Sequence, residues 1–225
     1  MMSAFFDNPG EWLRGCQLAR VTSVQDPDQL ARVKVRLLGP DPDGDAELWA
    51  RVAAPFAGAA RGAFFIPDVD DEVLVAFVAG DVRFPVVLGG LWNGSASPPE
   101  QLSGANVDRW TITGKAGTRI AIVEENGQSK IEFKTPGGVT GVLTDEGGGK
   151  VEFKSGANTI TMDSGGVSIQ AGGSVKVQAS DASVTAGSVK VDAGIATFTG
   201  VVKCETLIAT SVVASTYTPG AGNVW

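Results

Sequence analysis

The chain has no histidine and one tyrosine, and its two cysteines, Cys16 and Cys204, stand far apart. Without histidine there is no Ser-His-Asp or Cys-His catalysis. Two distant cysteines in a chain whose N-terminus shows no export signal read as ordinary free thiols. MMSAFFDNPGEWLRG lacks a basic leading region and a long apolar core, so a secretory signal is not expected and synthesis and assembly in the cytoplasm are. No run of about 18 apolar residues exists to make a transmembrane helix. Positive charge is also short: 18 Lys and Arg against 25 Asp and Glu leave a net of −7. Residues 1–99 hold 13 acidic and 8 basic residues, so the reading is against a nucleic-acid partner, whose phosphates need a basic surface.

Proline is unevenly scarce. Nine of the eleven prolines precede residue 100, and between Gln101 and Thr218 Pro136 stands alone. Seven of nine arginines also precede residue 100, whereas eight of nine lysines follow it. The chain therefore has two halves of different composition.

In the second half, apolar pairs alternate at period two and recur at intervals of five to twelve residues: Trp110/Ile112, Ile120/Ile122, Ile131/Phe133, Val151/Phe153, Ile160/Met162, Val167/Ile169, Val175/Val177, Val189/Val191, with Val139, Val184 and Phe198 alone. Glycines punctuate them, so residues 107 to about 198 read as short β-strands with one buried face. Short, proline-poor strands with open edges aggregate unless every edge is paired. Two closures satisfy that demand: a single-chain solenoid, or an intertwined trimer in which each chain contributes one strand per level.

The first half reads as a small twisted β domain from Gln17 to Gly94. Ala31, Val33, Val35 and Leu37 alternate with Arg32, Lys34 and Arg36; further strands are expected at Trp49–Ala53, Phe64–Pro67, Glu72–Val78 and Pro85–Leu88. About five strands with Gly, Pro and Asp turns point to an OB-fold barrel. Trp49, Phe64 and Trp92 are expected in its core.

The run from Leu48 to Pro99 resembles the OB-fold domain of contractile-tail and injection-machine spikes, the gpV-like baseplate spikes and the VgrG proteins of type VI secretion. The resemblance rests on Trp49-Ala50-Arg51-Val52, Phe64 to Pro67 before an acidic turn, Glu72-Val73-Leu74-Val75, Gly80-Asp81, Arg83 with Pro85 to Gly89, and Trp92-Asn93-Gly94 before Pro98-Pro99. WTITGKAGTRIAI and KIEFKTPGG are similar to the start of that family's triple-stranded β-helix. Asp70 stands where the family usually has Gly, and the turn is expected to survive because Asp tolerates a left-handed conformation.

The resemblance implies an all-β chain: an arm over 1–16, an OB-fold barrel over 17–97, an intertwined trimeric triple-stranded β-helix needle over 98–200 and an apex segment over 201–225. It implies a homotrimer on a trimeric baseplate hub at the barrel end, touching the target membrane transiently, as a component of a phage virion or contractile injection particle. Because the OB-like segment starts by residue 17, a minimal spike without the large hub domain of VgrG proteins is expected. A His-x-His metal apex has no histidine to form it. Closure by Tyr217 and Trp225, or a PAAR-type tip protein bound there, stands in its place.

No catalytic, cofactor or metal residues are assigned. Asp41, Asp43 and Asp45 match a calcium loop poorly, since Val52 occupies its twelfth position. Gly149-Lys150 is followed by Val151 and makes no P-loop. Glu124-Glu125 and Asp145-Glu146 lie at repeat corners, where solvated charge is ordinary. The function expected is therefore a non-enzymatic, membrane-piercing spike; the alternatives weighed are a single-chain β-solenoid enzyme and a glycan-binding tail-tip adhesin.

Overall fold

A computed structural model describes residues 15–39 and 46–216. The chain divides into two units, Met1–Gly173 and Ser174–Trp225.

The barrel is built from β1 (Cys16–Ser23), β2 (Val33–Leu37), β3 (Glu47–Val52), β6 (Glu72–Phe77) and β7 (Pro85–Leu91), with a two-stranded hairpin β4 (Ala57–Gly58) and β5 (Arg61–Gly62) between β3 and β6. It closes in the order β1-β2-β3-β7-β6, with β3 and β7 parallel and the other pairs antiparallel. This closed five-stranded barrel is the OB-fold expected. Period-two alternation sends Ala19 and Val21, Val33 and Val35, Ala50, Val73, Val75 and Phe77, and Val87 inward as one buried cluster. Valine dominates because β-branched side chains pack well on strands in a narrow interior; each fully buried Val contributes about 1.5–3 kcal/mol.

Two expectations fail here. Phe64–Pro67 is not a strand; the fifth strand is β1, whose inward residues Ala19 and Val21 are too small to stand out in the sequence. Nor do the large aromatics fill the barrel: Phe64 and Trp92 are 78% and 69% exposed, and Trp49 lies half-buried on the outer wall, opposite Lys34. Phe77 is the one aromatic ring in the buried cluster among the described residues, and the valines fill the rest of the interior.

The acidic turn keeps its shape. Asp70 has φ +73° while its amide donates to the Val21 carbonyl at 3.0 Å or less, so the left-handed residue is held by the β1 strand. Asp70→Val should cost about 1–2 kcal/mol, since a β-branched side chain meets the carbonyl in that conformation, while Asp70→Gly should be tolerated. Urea midpoints of the two variants check this.

Beyond the barrel, β8 (Arg109–Thr113), β9 (Arg119–Glu125), β10 (Gln128–Lys134), β11 (Thr140–Thr144), β12 (Lys150–Ser155), β13 (Asn158–Asp163) and β14 (Gly166–Gln170) form one antiparallel sheet in chain order. This corrects the sequence reading for the stretch. Its strands pair with their sequence neighbours in the same chain, not one per level with sister chains, and the antiparallel meander is not a three-sided solenoid coil either. Tight glycine corners such as Gly127 (φ +75°) and Gly138 (φ +83°) make the hairpins short enough for this. From Ser174 to Thr216 there is no strand, and every described residue is exposed.

Candidate assembly surface

The register of the seven-stranded sheet gathers most of its large apolar side chains on one face. On one face two unbroken rows run across all seven strands: Trp110, Ile122, Ile131, Leu143, Val151, Met162 and Val167 in one, and Ile112, Ile120, Phe133, Gly141, Phe153, Ile160 and Ile169 in the other. Among the described residues most of these side chains stay open to solvent. Ile131 is 48% exposed and Val167 69%. Along the first row lies an open groove of about 740 Å³, lined by Ile122, Ile131, Leu143, Val151 and Met162 and rimmed by Asp145, Lys150 and Asp163. In the second row the Phe133 ring lies over Gly141, and its centroid is 6.0 Å from that of Phe153. The glycine is the space that lets the ring lie down. A contiguous apolar face of this extent marks an interaction surface.

The opposite face carries a ladder of Lys, Glu and Thr around buried Ala121 and Val123 and half-buried Val142. Lys130 pairs with Glu132 at 3.0 Å and Lys150 with Glu152 at 2.8 Å. At its barrel end a clasp of charges gathers. Arg119 donates to Glu100 at 2.6 Å and also pairs with Glu132; Arg109 pairs with Asp108 at 2.7 Å, with Glu125 and, at 3.4 Å, with Glu100. Glu100 belongs to the segment joining barrel and sheet, whose other end is held where Asn93 donates to Glu72 at 2.8 Å. Lys115, in the β8–β9 turn, reaches Asp68 of the barrel's acidic turn.

These guanidinium contacts hold the clasp carboxylates low. Arg119 holds Glu100 below the usual carboxylate range, Arg109 does the same for Asp108, and Glu132, which burial alone would push up, is lowered overall by Lys130 and Arg119. A carboxyl lowered in the folded state contributes stability that is complete above its ordinary pKa and is lost as pH falls through the folded value. Stability should therefore decline below about pH 4. In Glu100→Gln that slope should flatten while stability at neutral pH falls, as urea titrations from pH 7 to pH 3 would record.

The second unit carries a regular pattern. From Gly173 to Gly200 run four seven-residue segments, opening on Gly173, Ser180, Gly187 and Gly194, with Val175/Val177, Ala182/Val184, Val189/Val191 and Ala196/Phe198 at their third and fifth positions. Val177 is 80% exposed and Phe198 72%. The doublets that follow are similarly bare, with Val201 at 97%. Tyr217 and Trp225, the apex candidates, lie outside the described residues, as do the N-terminal arm to residue 14 and the Asp41–Asp45 turn. Cys16 and Cys204 are both free and exposed.

Sequence reasoning found the alternation but not the clasp, because Glu100, Arg109 and Arg119 are joined only by the register of β8 and β9. It also misplaced β11: Val139 drew the eye, whereas Gly141 and Leu143 complete the apolar rows.

Residues 17–92 match the family described as the type VI secretion system/phage-baseplate injector OB domain. Over 104 residues, 43% of this chain, the sequence is 36% identical to the type VI secretion system spike protein VgrG5 of Pseudomonas aeruginosa. Over 78 residues it is 35% identical to the spike proteins VgrG1a and VgrG1c of the same organism. The match covers 13% of the length of VgrG5 and 12% and 11% of the other two. The chain is thus similar, over less than half of its length, to the OB domain of such injectors and to spike proteins of the VgrG kind.

Proposed function

We propose that three copies of this chain form a non-enzymatic spike at the tip of a contractile tail or injection particle, which carries the force of sheath contraction to the target envelope. The observation that carries this reading is the double apolar row across seven strands, in a chain whose barrel matches an injector OB domain. Three such sheets turned face to face make a three-sided prism with a dry axis and a Lys/Glu/Thr surface. The width suits it, because two inward residues per strand give a thin core.

Beyond Gly173 the described residues form no strand within their own chain. In the trimer the seven-residue segments from Gly173 to Gly200 wind around the sister chains as a triple-stranded β-helix, each edge paired by a neighbour, and residues 201–225 form the apex. A PAAR-type tip protein, or Tyr217 and Trp225, closes that end. The barrel docks on a trimeric hub in the baseplate. Pulling out one chain would break ladder bonds to two neighbours and expose buried Val and Ile at about 1.5–3 kcal/mol each, so unfolding is slow under load.

Light scattering on the purified chain tests this, beside an unheated sample in SDS. The expected result is three times 23.1 kDa and resistance to SDS until boiled. A clean monomer refutes it.

A further inference from the structure

The outer wall of β1, β2 and β3 is basic in a chain whose net charge is −7. Arg20, Arg32, Lys34, Arg36 and Arg51 all project from it, five of the eight basic residues before position 100. The register sets Arg20 directly opposite Arg36. Like charges in that position destabilise a sheet, so the pair is a local cost that the fold itself does not require. Arg20, Arg36 and Arg51 are exposed and form no ion pair among the described residues. Next to them, opposite Lys34, lies the Trp49 ring, with the Arg32 guanidinium 5.7 Å and the Lys34 ammonium 5.5 Å from its centroid. Those two cations are fixed in turn: Arg32 pairs with Asp26 at 2.6 Å and Lys34 with Glu47 at 3.1 Å.

The wall therefore combines three exposed arginines outside any close ion pair with a tryptophan held at a fixed position. Arginine and tryptophan are the residues that most often anchor protein interfaces. Across the strands the charges read Glu72, Arg20, Arg36, Glu47, so a negative group bounds the arginine pair on each side.

We propose that the β1–β3 wall around Arg20, Arg36, Arg51 and Trp49 is the docking surface for a protein partner that presents paired carboxylates to the two arginines. Arginine suits that role because its planar guanidinium can grip a carboxylate through two parallel hydrogen bonds. A nucleic acid fits worse. Glu47 and Glu72 would repel a continuous phosphate backbone on both sides of the pair, and one ring provides no platform for successive bases. The proposal rests on the spike reading, since it names the barrel face that meets the baseplate, but the surface belongs to the barrel alone.

The test uses the full chain and a fluorescein-labelled oligoglutamate peptide as probe, read by polarisation at low salt. The expected result is binding that weakens as salt rises and falls at least about tenfold in Arg20→Glu/Arg36→Glu, but not in Arg61→Glu on the β4–β5 hairpin. Should the double variant fail to fold, Arg51→Glu alone is expected to weaken binding several-fold. No binding by the native chain, equal loss in Arg61→Glu, or tighter binding of an oligothymidylate would overturn the proposal. The light-scattering mass of the same samples separates the two claims: a monomer that still binds through these arginines refutes the spike and not the surface.

Discussion

Leu143→Asp should turn a three-chain particle into single chains while leaving the barrel folded. Leu143 sits in the middle of the first apolar row, between Ile131 and Val151, and is 40% exposed in the isolated chain. If that face were open to water in the working protein, a carboxylate there would be a surface substitution worth about 0.5 kcal/mol or less. In a prism the same change brings three carboxylates to one level of a dry axis, and each buried ion costs several kcal/mol. The two outcomes differ by more than any error of measurement. Light scattering would give the mass, and circular dichroism would show whether strand content survives. A variant that stayed trimeric would place the apolar face elsewhere than the axis.

The second large effect concerns Gly141. Its added Cβ would fall inside the Phe133 ring, which lies across the glycine toward Phe153. Gly141→Ala should therefore force the ring off its position and destabilise the sheet by about 1–3 kcal/mol per chain. Helix or strand propensity predicts the opposite sign, because alanine loses less backbone entropy than glycine on folding. Adding Phe133→Leu should recover part of the loss, since the smaller side chain vacates the space. Urea midpoints of the single and double variants would give the coupling; additive losses would mean that the ring and the glycine do not compete.

What could be read from the sequence divides along a physical line. Alternation reports which side of a strand an apolar residue occupies, so Val33/Val35, Val73/Val75 and most members of the two long rows were legible at once. It does not report what covers that side. Val73 is buried by its own barrel, whereas Ile122, with the same local pattern, is 46% exposed. The same blindness put Phe64 and Trp92 in the core: size suggested burial, but eight alanine and valine side chains and the Phe77 ring already fill the barrel. β1 escaped notice for the converse reason, as alanine and valine among Arg20 and Thr22 make a faint stripe. Long-range charge was harder still. The Arg20–Arg36 opposition and the Glu100 clasp exist only once two strands have chosen a register, and no spacing along the chain announces them.

The order of the sheet has a kinetic side. Each of β9 to β14 pairs with the strand made immediately before it, so the meander can zip hairpin by hairpin within microseconds of leaving the ribosome. The barrel, which closes by bringing Cys16 to Ala76, is made first, since all its strands precede β8. Once the meander has zipped, a newly made chain displays its two greasy rows as a broad sticky plane. Polysomes translating one message hold sister chains close together, which favours capture by the right partner over clumping. Separating the copies, by slow expression at low message level, should lower the yield of soluble protein instead of raising it.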